Sequence, residues 1–309
     1  MPSPEIVFIG EPLFELNQPR GENVFRPGFG GDTSNAAIAA ARQGANVGYL
    51  TAIGADPFGE SFMELWHEEG VDASAVVRSQ TAHTGLYFVR HGPDGHMFSY
   101  LRAGSAASRL TPQDIPAGLI ESARIVHASG ISQAISSSAA DTVFASMRAA
   151  RAAGVSVSYD TNLRLRLWPL DRARAVIHAS VALADILLPS LDDAMHLTGL
   201  ADPDRIVDTY LGLGPKVVAL TLGGRGALVA TADRREMIPP CPVKLVDATG
   251  AGDAFDGTFL AEYLRVGDPF AAARYANVAA ALATEGYGAV APIPRRAGVE
   301  AAMAEDRAR

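Results

Sequence analysis

The 309-residue chain is 48% hydrophobic and 19% charged, a globular composition that excludes disorder and needs no disulfide or metal staple for its core. Asp and Glu outnumber Lys and Arg by 34 to 26, a net charge of −8; that excludes the basic face of a nucleic-acid binder but leaves room for a small anion held by a few arginines. Cys241 is the single cysteine, the start carries no secretory signal and no apolar run reaches about 18 residues, so the expectation is a cytoplasmic protein with no internal disulfide and no membrane span.

In chain order, residues 5–10 form an apolar run ending in glycine and predict a buried strand. Residues 34–42 predict a helix stopped by Gly44, and 46–53 a strand. Asp56-Pro57 opens a helix, Asp as N-cap and Pro in the first helical position, with Phe58, Phe62, Leu65 and Trp66 on its apolar face and Gly70 at its end. Residues 84–90 and 96–101 alternate about the turn Gly92-Pro93-Asp94-Gly95, which reads as a hairpin. Strands over 124–128, 155–160 and 185–188 then alternate with helices over 139–153 and 171–184. Ser190-Leu191-Asp192-Asp193 reads as a capping-box variant opening a short helix. A helix over 203–213, strands over 216–222 and 227–230, a short strand near Lys244, and helices over 252–265 and 269–284 complete the pattern.

This alternation predicts an α/β fold in three layers, a mostly parallel sheet with helices on both faces. The hairpin and residues 11–29, which lack a helix signal, predict a small β lid built from about 11–29 and 82–104. No linker or repeat divides the chain, so residues 1–309 read as one domain. Seven scattered histidines offer no dedicated protein metal site.

Two glycine-rich segments carry the chemistry. Gly250, Ala251, Gly252 and Asp253 follow a strand and open a helix. The glycines leave backbone N–H groups uncovered where the helix carries partial positive charge, which suits a phosphate or a developing anion. A carboxylate at Asp253 is placed to take a proton from an attacking hydroxyl during phosphoryl transfer; the plainer alternative is a glycine turn whose Asp complements the helix dipole. No Gly-Lys-Ser/Thr follows, so this is not a Walker loop. In the other segment, paired glycines before a helix allow close approach to a ligand, and Asp32 and Asn35 offer polar atoms to hydroxyl groups; an ordinary capped loop is the alternative.

Together, Gly30-Gly31…Asn35 and Asp247-Ala248-Thr249-Gly250-Ala251-Gly252-Asp253 resemble the paired motifs of the ribokinase-like (PfkB) sugar kinase family, and the resemblance extends over nearly the whole chain. Within it the chain looks most like the 2-keto-3-deoxygluconate kinases, through Gly10-Glu11-Pro12, Phe29-Gly30-Gly31-Asp32-Thr33, Thr84-Gly85-Leu86-Tyr87, Ser129-Gly130-Ile131-Ser132 and Asp160-Thr161-Asn162-Leu163-Arg164. The resemblance implies ATP and Mg2+, with a monovalent cation such as K+ near Asp247 left open. It makes Asp253 the catalytic base and Gly250, Ala251 and Gly252 the anion hole. It assigns Gly31, Asp32, Asn35, Tyr87, Tyr100, Arg102 and Arg164 to the sugar side. Asn162, Ser190, Thr221, Gly223, Gly226 and Asn277 fall to the nucleotide side.

Two departures stand out. Leu163 replaces the usual Tyr, and Ser190-Leu191-Asp192-Asp193 stands where the family has Asn-x-x-Glu. By strand alternation Tyr100 and Arg102 share a face. Charge-assisted Arg–carboxylate bonds contribute about 1.5–3 kcal/mol each. Arg102 and Arg164 together would therefore favour a sugar acid over a neutral sugar by about 3–6 kcal/mol, roughly two to four orders of magnitude. Arg166 and the Trp168-Pro169 turn read as structural. The competing functions are a kinase of fructose, another neutral sugar or a nucleoside, and a catalytically idle sugar-binding protein. A nicotinamide oxidoreductase is disfavoured because no Gly-x-Gly-x-x-Gly follows the first strand. The exposed edges of a β lid favour subunit pairing, so a homodimer is expected.

Overall fold

A computed structural model describes residues 3–18, 21–92 and 95–307. The chain runs β1 (Ile6–Ile9), β2 (Leu13–Gln18), β3 (Arg26–Gly30), α1 (Asp32–Arg42), β4 (Val47–Leu50), β5 (Ala52–Gly54), α2 (Pro57–Glu68), β6 (Val71–Asp72), β7 (Val77–Ser79), β8 (Gly85–Gly92) and β9 (Gly95–Leu101). It continues with β10 (Ile125–Ser129), α3 (Gly130–Ala134), α4 (Ser137–Ala153), β11 (Ser156–Asp160), α5 (Leu170–Val181), β12 (Ile186–Leu187), α6 (Leu191–Thr198), α7 (Pro203–Leu213), β13 (Val217–Thr221), β14 (Ala227–Ala230) and β15 (Arg235–Ile238). Three helices close it: α8 (Ala251–Val266), α9 (Pro269–Ala283) and α10 (Arg296–Arg307).

The main sheet has nine strands in the order β15-β14-β13-β12-β11-β10-β1-β4-β6. It is parallel from β6 to β13 and antiparallel from β13 to β15. Alternate side chains of one strand enter opposite layers. Val7 and Ile9 of β1 join one apolar core with Met147 of α4, Ile177 of α5 and Tyr210 of α7. Ile6 and Phe8 join the other, with Ile38 of α1, Trp66 of α2 and Phe259 of α8. Fully burying each such side chain contributes about 1.5–3 kcal/mol, which holds both helical layers on the sheet.

A four-stranded sheet, β3-β2-β8-β9, stands beside this body, formed by the two segments expected to make a β lid. The β8–β9 hairpin pairs through Gly92 and Gly95; Pro93 and Asp94 of its expected turn lie outside the described residues. The chain leaves β1 for β2 through Gly10-Glu11-Pro12 and returns from β3 to α1 through Gly31. A Cβ on Gly31 would lie 2.3 Å from the Glu11 carbonyl oxygen, and its φ is +100°. Only glycine fits this return crossing.

Two expectations need correction. The short strand expected near Lys244 is absent; β15 lies earlier, at Arg235–Ile238, and Pro239-Pro240 ends it because proline brings no N–H to a ladder. The single strand over 46–53 is two, β4 in the main sheet and β5 paired with β7. They part at Thr51, whose hydroxyl donates to the Gly10 carbonyl at 2.6 Å. Helices α3 and α10 are additional to the expected pattern.

Between β1 and β10 the order of connection reverses, since the chain winds from β1 outward to β6 and then returns to β10. In open α/β sheets ligands bind outside the carboxyl ends of strands at such a point. Gly10, Ser129 and Asp160 end or directly follow β1, β10 and β11 there.

Candidate active site

Gly250 is the N-cap of α8 in a left-handed conformation, φ 76°. The loop before it is pinned by Asp247, whose Oδ1 accepts from the Thr249 amide (3.0 Å) and hydroxyl (2.7 Å) and whose Oδ2 accepts from the Gly288 amide (3.0 Å). The first amides of a helix lack intrahelical acceptors and lie at its positive end. Asp253 sits in this first turn.

Helices α1 and α8 cross closely because residue 257 is glycine: a Cβ there would lie 1.9 Å from the Ala36 carbonyl oxygen. The crossing lets Asn35 Nδ2 donate to Asp253 Oδ2 at 2.8 Å, joining the two glycine-rich motifs across 218 positions. Burial first, and the charge of Asp32 second, push the Asp253 carboxyl up to about 7, against the opposing pull of Asn35 and Arg164.

Asp32 Oδ2 accepts from the Ser129 hydroxyl at 2.5 Å and from Asn162 Nδ2 at 2.9 Å. Asn162 is held at φ 25°, alone among the described non-glycine residues in having a positive φ, and its own amide donates to Asp160 Oδ1 at 3.0 Å. The other oxygen of Asp32 and the side-chain oxygen of Asn35 are buried without a hydrogen-bond partner among the described residues. Buried acceptors left unpaired cost free energy, and these two, beside Asp253, suit the hydroxyl donors of a sugar.

From the small sheet, Tyr87 and Tyr100 face each other across β8 and β9 with ring centroids 5.9 Å apart. The Tyr87 hydroxyl is bonded to Glu15 of β2, while Tyr100 is 43% exposed. Arg102 departs from expectation: its guanidinium is committed to Glu11, with Nε donating to Oε2 at 2.9 Å and Nη2 to the same oxygen. Arg164 is exposed and donates from Nη1 to the Leu163 carbonyl at 2.9 Å. Trp168 is buried, as a structural residue should be. Arg166, read as structural, instead lies exposed with its guanidinium 6.0 Å from the Tyr100 ring centre.

Ser190 bridges to Thr221, so these two nucleotide-side candidates lie together. Gly223 and Gly226 form the following turn with φ of 58° and 88°. Asn277 donates from Nδ2 to the Pro239 carbonyl at 2.8 Å, tying α9 to the chain after β15. Ser190 caps α6 by accepting from the Asp193 amide. Asp193 in turn accepts from the Leu163 amide at 3.0 Å, and burial raises its carboxyl above the usual range. Leu163 packs into the core, a setting that suits its aliphatic side chain. Glu11, 0% exposed in its side chain, is the site residue that sequence reasoning missed; its place beside Gly10 at a strand end was the available signal.

A mostly parallel sheet, a small β-sheet over its switch point and a carboxyl at a glycine-capped helix N-terminus define a phosphoryl-transfer enzyme of the ribokinase-like class. The pfkB family carbohydrate kinase model matches residues 5–296, and the chain belongs to that family as an ATP-dependent sugar kinase. It is 36% identical over 304 residues to the 2-dehydro-3-deoxygluconokinase of Thermoproteus tenax, covering 94% of this chain and 92% of the relative. It is 34% identical over 275 residues to Fructokinase-2 of Zea mays, covering 86% and 82%. Among solved structures it is similar to a putative ribokinase II from E. coli in complex with ATP and Mg2+, with TM-score 0.91, 26% identity and coverage of 99% and 100%.

Proposed function

We propose that the enzyme phosphorylates the terminal hydroxyl of 2-keto-3-deoxygluconate with ATP, giving the 6-phosphate and ADP, and that Asp253 is the general base. The observation carrying this reading is the Asn35–Asp253 hydrogen bond at the N-terminus of α8. It puts a carboxyl with proton affinity near neutrality beside unpaired sugar-facing acceptors, in the first turn of α8. Asp32 and Asn35 hold the sugar hydroxyls, Gly31 lets the backbone approach them, and Tyr87 and Tyr100 wall the ring. Asp253 takes the proton of the terminal hydroxyl as its oxygen bonds to the γ-phosphorus and the bond to ADP breaks. The amides of Gly250, Ala251 and Gly252 stabilise the charge that develops.

Asn162, Ser190, Thr221, Gly223, Gly226 and Asn277 form the nucleotide side. Among the described residues no group of three His, Cys, Asp or Glu is placed to hold a metal. A donor set of one half-buried carboxylate, Asp193, fits Mg2+ that keeps its waters and rests on the phosphates of ATP, where it would supply charge neutralisation. Both Asp247 oxygens accept protein donors, so K+ at this loop would rest on backbone carbonyls.

The four-stranded sheet serves as a lid within one domain. Met97 and Leu101 of β9, and Val24 and Phe25 just before β3, expose apolar surface, which suits pairing of two lids in a homodimer. No helix among the described residues is long and apolar enough to cross a membrane; we place the enzyme in the cytoplasm with its ATP.

Fructokinase is the second reading, favoured by one observation: Glu11 already occupies Arg102. ATP consumption over a panel of neutral sugars and sugar acids separates the two. The primary reading expects 2-keto-3-deoxygluconate to give the highest kcat/KM, and a higher value for fructose would displace it.

A further inference from the structure

Resting on the sugar-acid reading above, we propose that Glu11 sets the selectivity for acid over neutral sugars, because it neutralises Arg102 and leaves Arg164 as the net charge that reads the substrate's carboxylate.

Glu11 lies where the chain passes from β1 into the small sheet. Its side chain is 0% exposed and that of Arg102 12%. Both carboxylate oxygens are engaged, Oε2 by Arg102 and Oε1 by the Ser105 hydroxyl at 2.7 Å. The Ser105 amide donates to the Arg102 carbonyl at 3.0 Å, so residues 102–105 fold back onto this carboxylate. There is no slack around it: a Cβ on Gly85 would lie 3.0 Å from Glu11 Oε1. The carboxylate is therefore fixed and cannot swing away when substrate arrives.

A guanidinium this enclosed needs a counter-charge in the free enzyme, and Glu11 supplies it. A substrate carboxylate approaching Arg102 would share one cation with a second, immobile anion. Like charges in a partly buried site repel, so the Coulomb gain from Arg102 is largely cancelled. Its Nη1, which makes no hydrogen bond among the described residues, still donates to substrate. Arg164 differs: it has no carboxylate within ion-pair distance among the described residues, and its guanidinium bonds only a backbone carbonyl. Its field reaches the site, since it is one of the groups pulling the Asp253 carboxyl down.

The test is Glu11→Gln, which keeps side-chain length, an oxygen for Arg102 and an amide for Ser105, and removes only the charge. Dissociation constants are measured by calorimetry for 2-keto-3-deoxygluconate and for 3-deoxyfructose, its neutral counterpart with CH2OH in place of the carboxylate. The ratio of the neutral to the acid constant should rise at least tenfold in Glu11→Gln while ATP affinity holds. An unchanged or smaller ratio would overturn the proposal, because a purely structural role would weaken both sugars alike. Should Glu11→Gln not fold, Arg102→Gln and Arg164→Gln decide it. Arg164→Gln should reduce the ratio at least tenfold more than Arg102→Gln, and an equal or larger loss at Arg102 would be fatal. The readout is binding, so absence of sugar-acid turnover by the wild-type enzyme would count against the proposed function and not against this role of Glu11.

Discussion

Asp253 owes its proton affinity to its surroundings, chiefly burial and the nearby Asp32 carboxylate. A base poised near 7 is matched to work at neutral pH. Activity with saturating ATP should climb as pH rises through about 7, where the carboxyl ionises, and a profile flat from pH 5 to 9 would remove it as the base. Asp253→Asn should keep ATP and sugar binding by calorimetry while kcat falls about 10²–10⁴-fold. The same raised affinity affects stability in a defined direction. A carboxyl whose folded value lies above the unfolded one contributes stability that is complete at low pH and lost as pH rises through about 7. Thermal unfolding should therefore show Asp253→Asn more stable than wild type at pH 8, with a much smaller difference at pH 4. At this scale Asp253, Asp32 and Asn35 were legible in the sequence because each sits in a glycine motif. The Glu11–Arg102 pair was not, since partners 91 positions apart meet only through the pairing of β2 with β8 and of β8 with β9.

Among the elements, the α1–α8 crossing decides whether the two motifs meet. Gly257→Ala places a methyl against the Ala36 carbonyl, and overpacking of this kind costs about 1–3 kcal/mol. Melting temperature and kcat should fall together, because spreading the helices lengthens the Asn35–Asp253 bond; an unchanged kcat would show that this bond does not set the site. Elements with local punctuation were readable. Helix α7 matches its expected bounds because Asp202 caps it and Pro203 opens it. Helix α10 carried no such signal: it is polar, and Val299 and Met303, one turn apart, supply its contact with α9. The strand expected near Lys244 failed for a related reason. An apolar stretch suggests a strand, but only pairing makes one, and Pro239-Pro240 had already ended the ladder.

For the molecule as a whole, the small sheet brings Tyr87, Tyr100 and Arg102 towards the end of the main sheet that holds Asp32 and Asp253. Closure of such a cover would exclude the water that competes with the sugar for the phosphoryl group. Structures with and without 2-keto-3-deoxygluconate should differ in the angle between the two sheets, and an unchanged angle would contradict gating by the lid. The nine-stranded sheet and the covering strands were legible as a pattern of alternation interrupted by two helix-free segments. What stayed hidden was charge balance, which depends on which side chains are buried together. The most direct measurement of substrate choice is competition in a single tube. With ATP limiting and equal 2-keto-3-deoxygluconate and fructose, phosphorus NMR of the products reads the ratio of the two kcat/KM values. The account predicts a large excess of the 6-phosphate of the sugar acid, and an excess of fructose phosphate would contradict it.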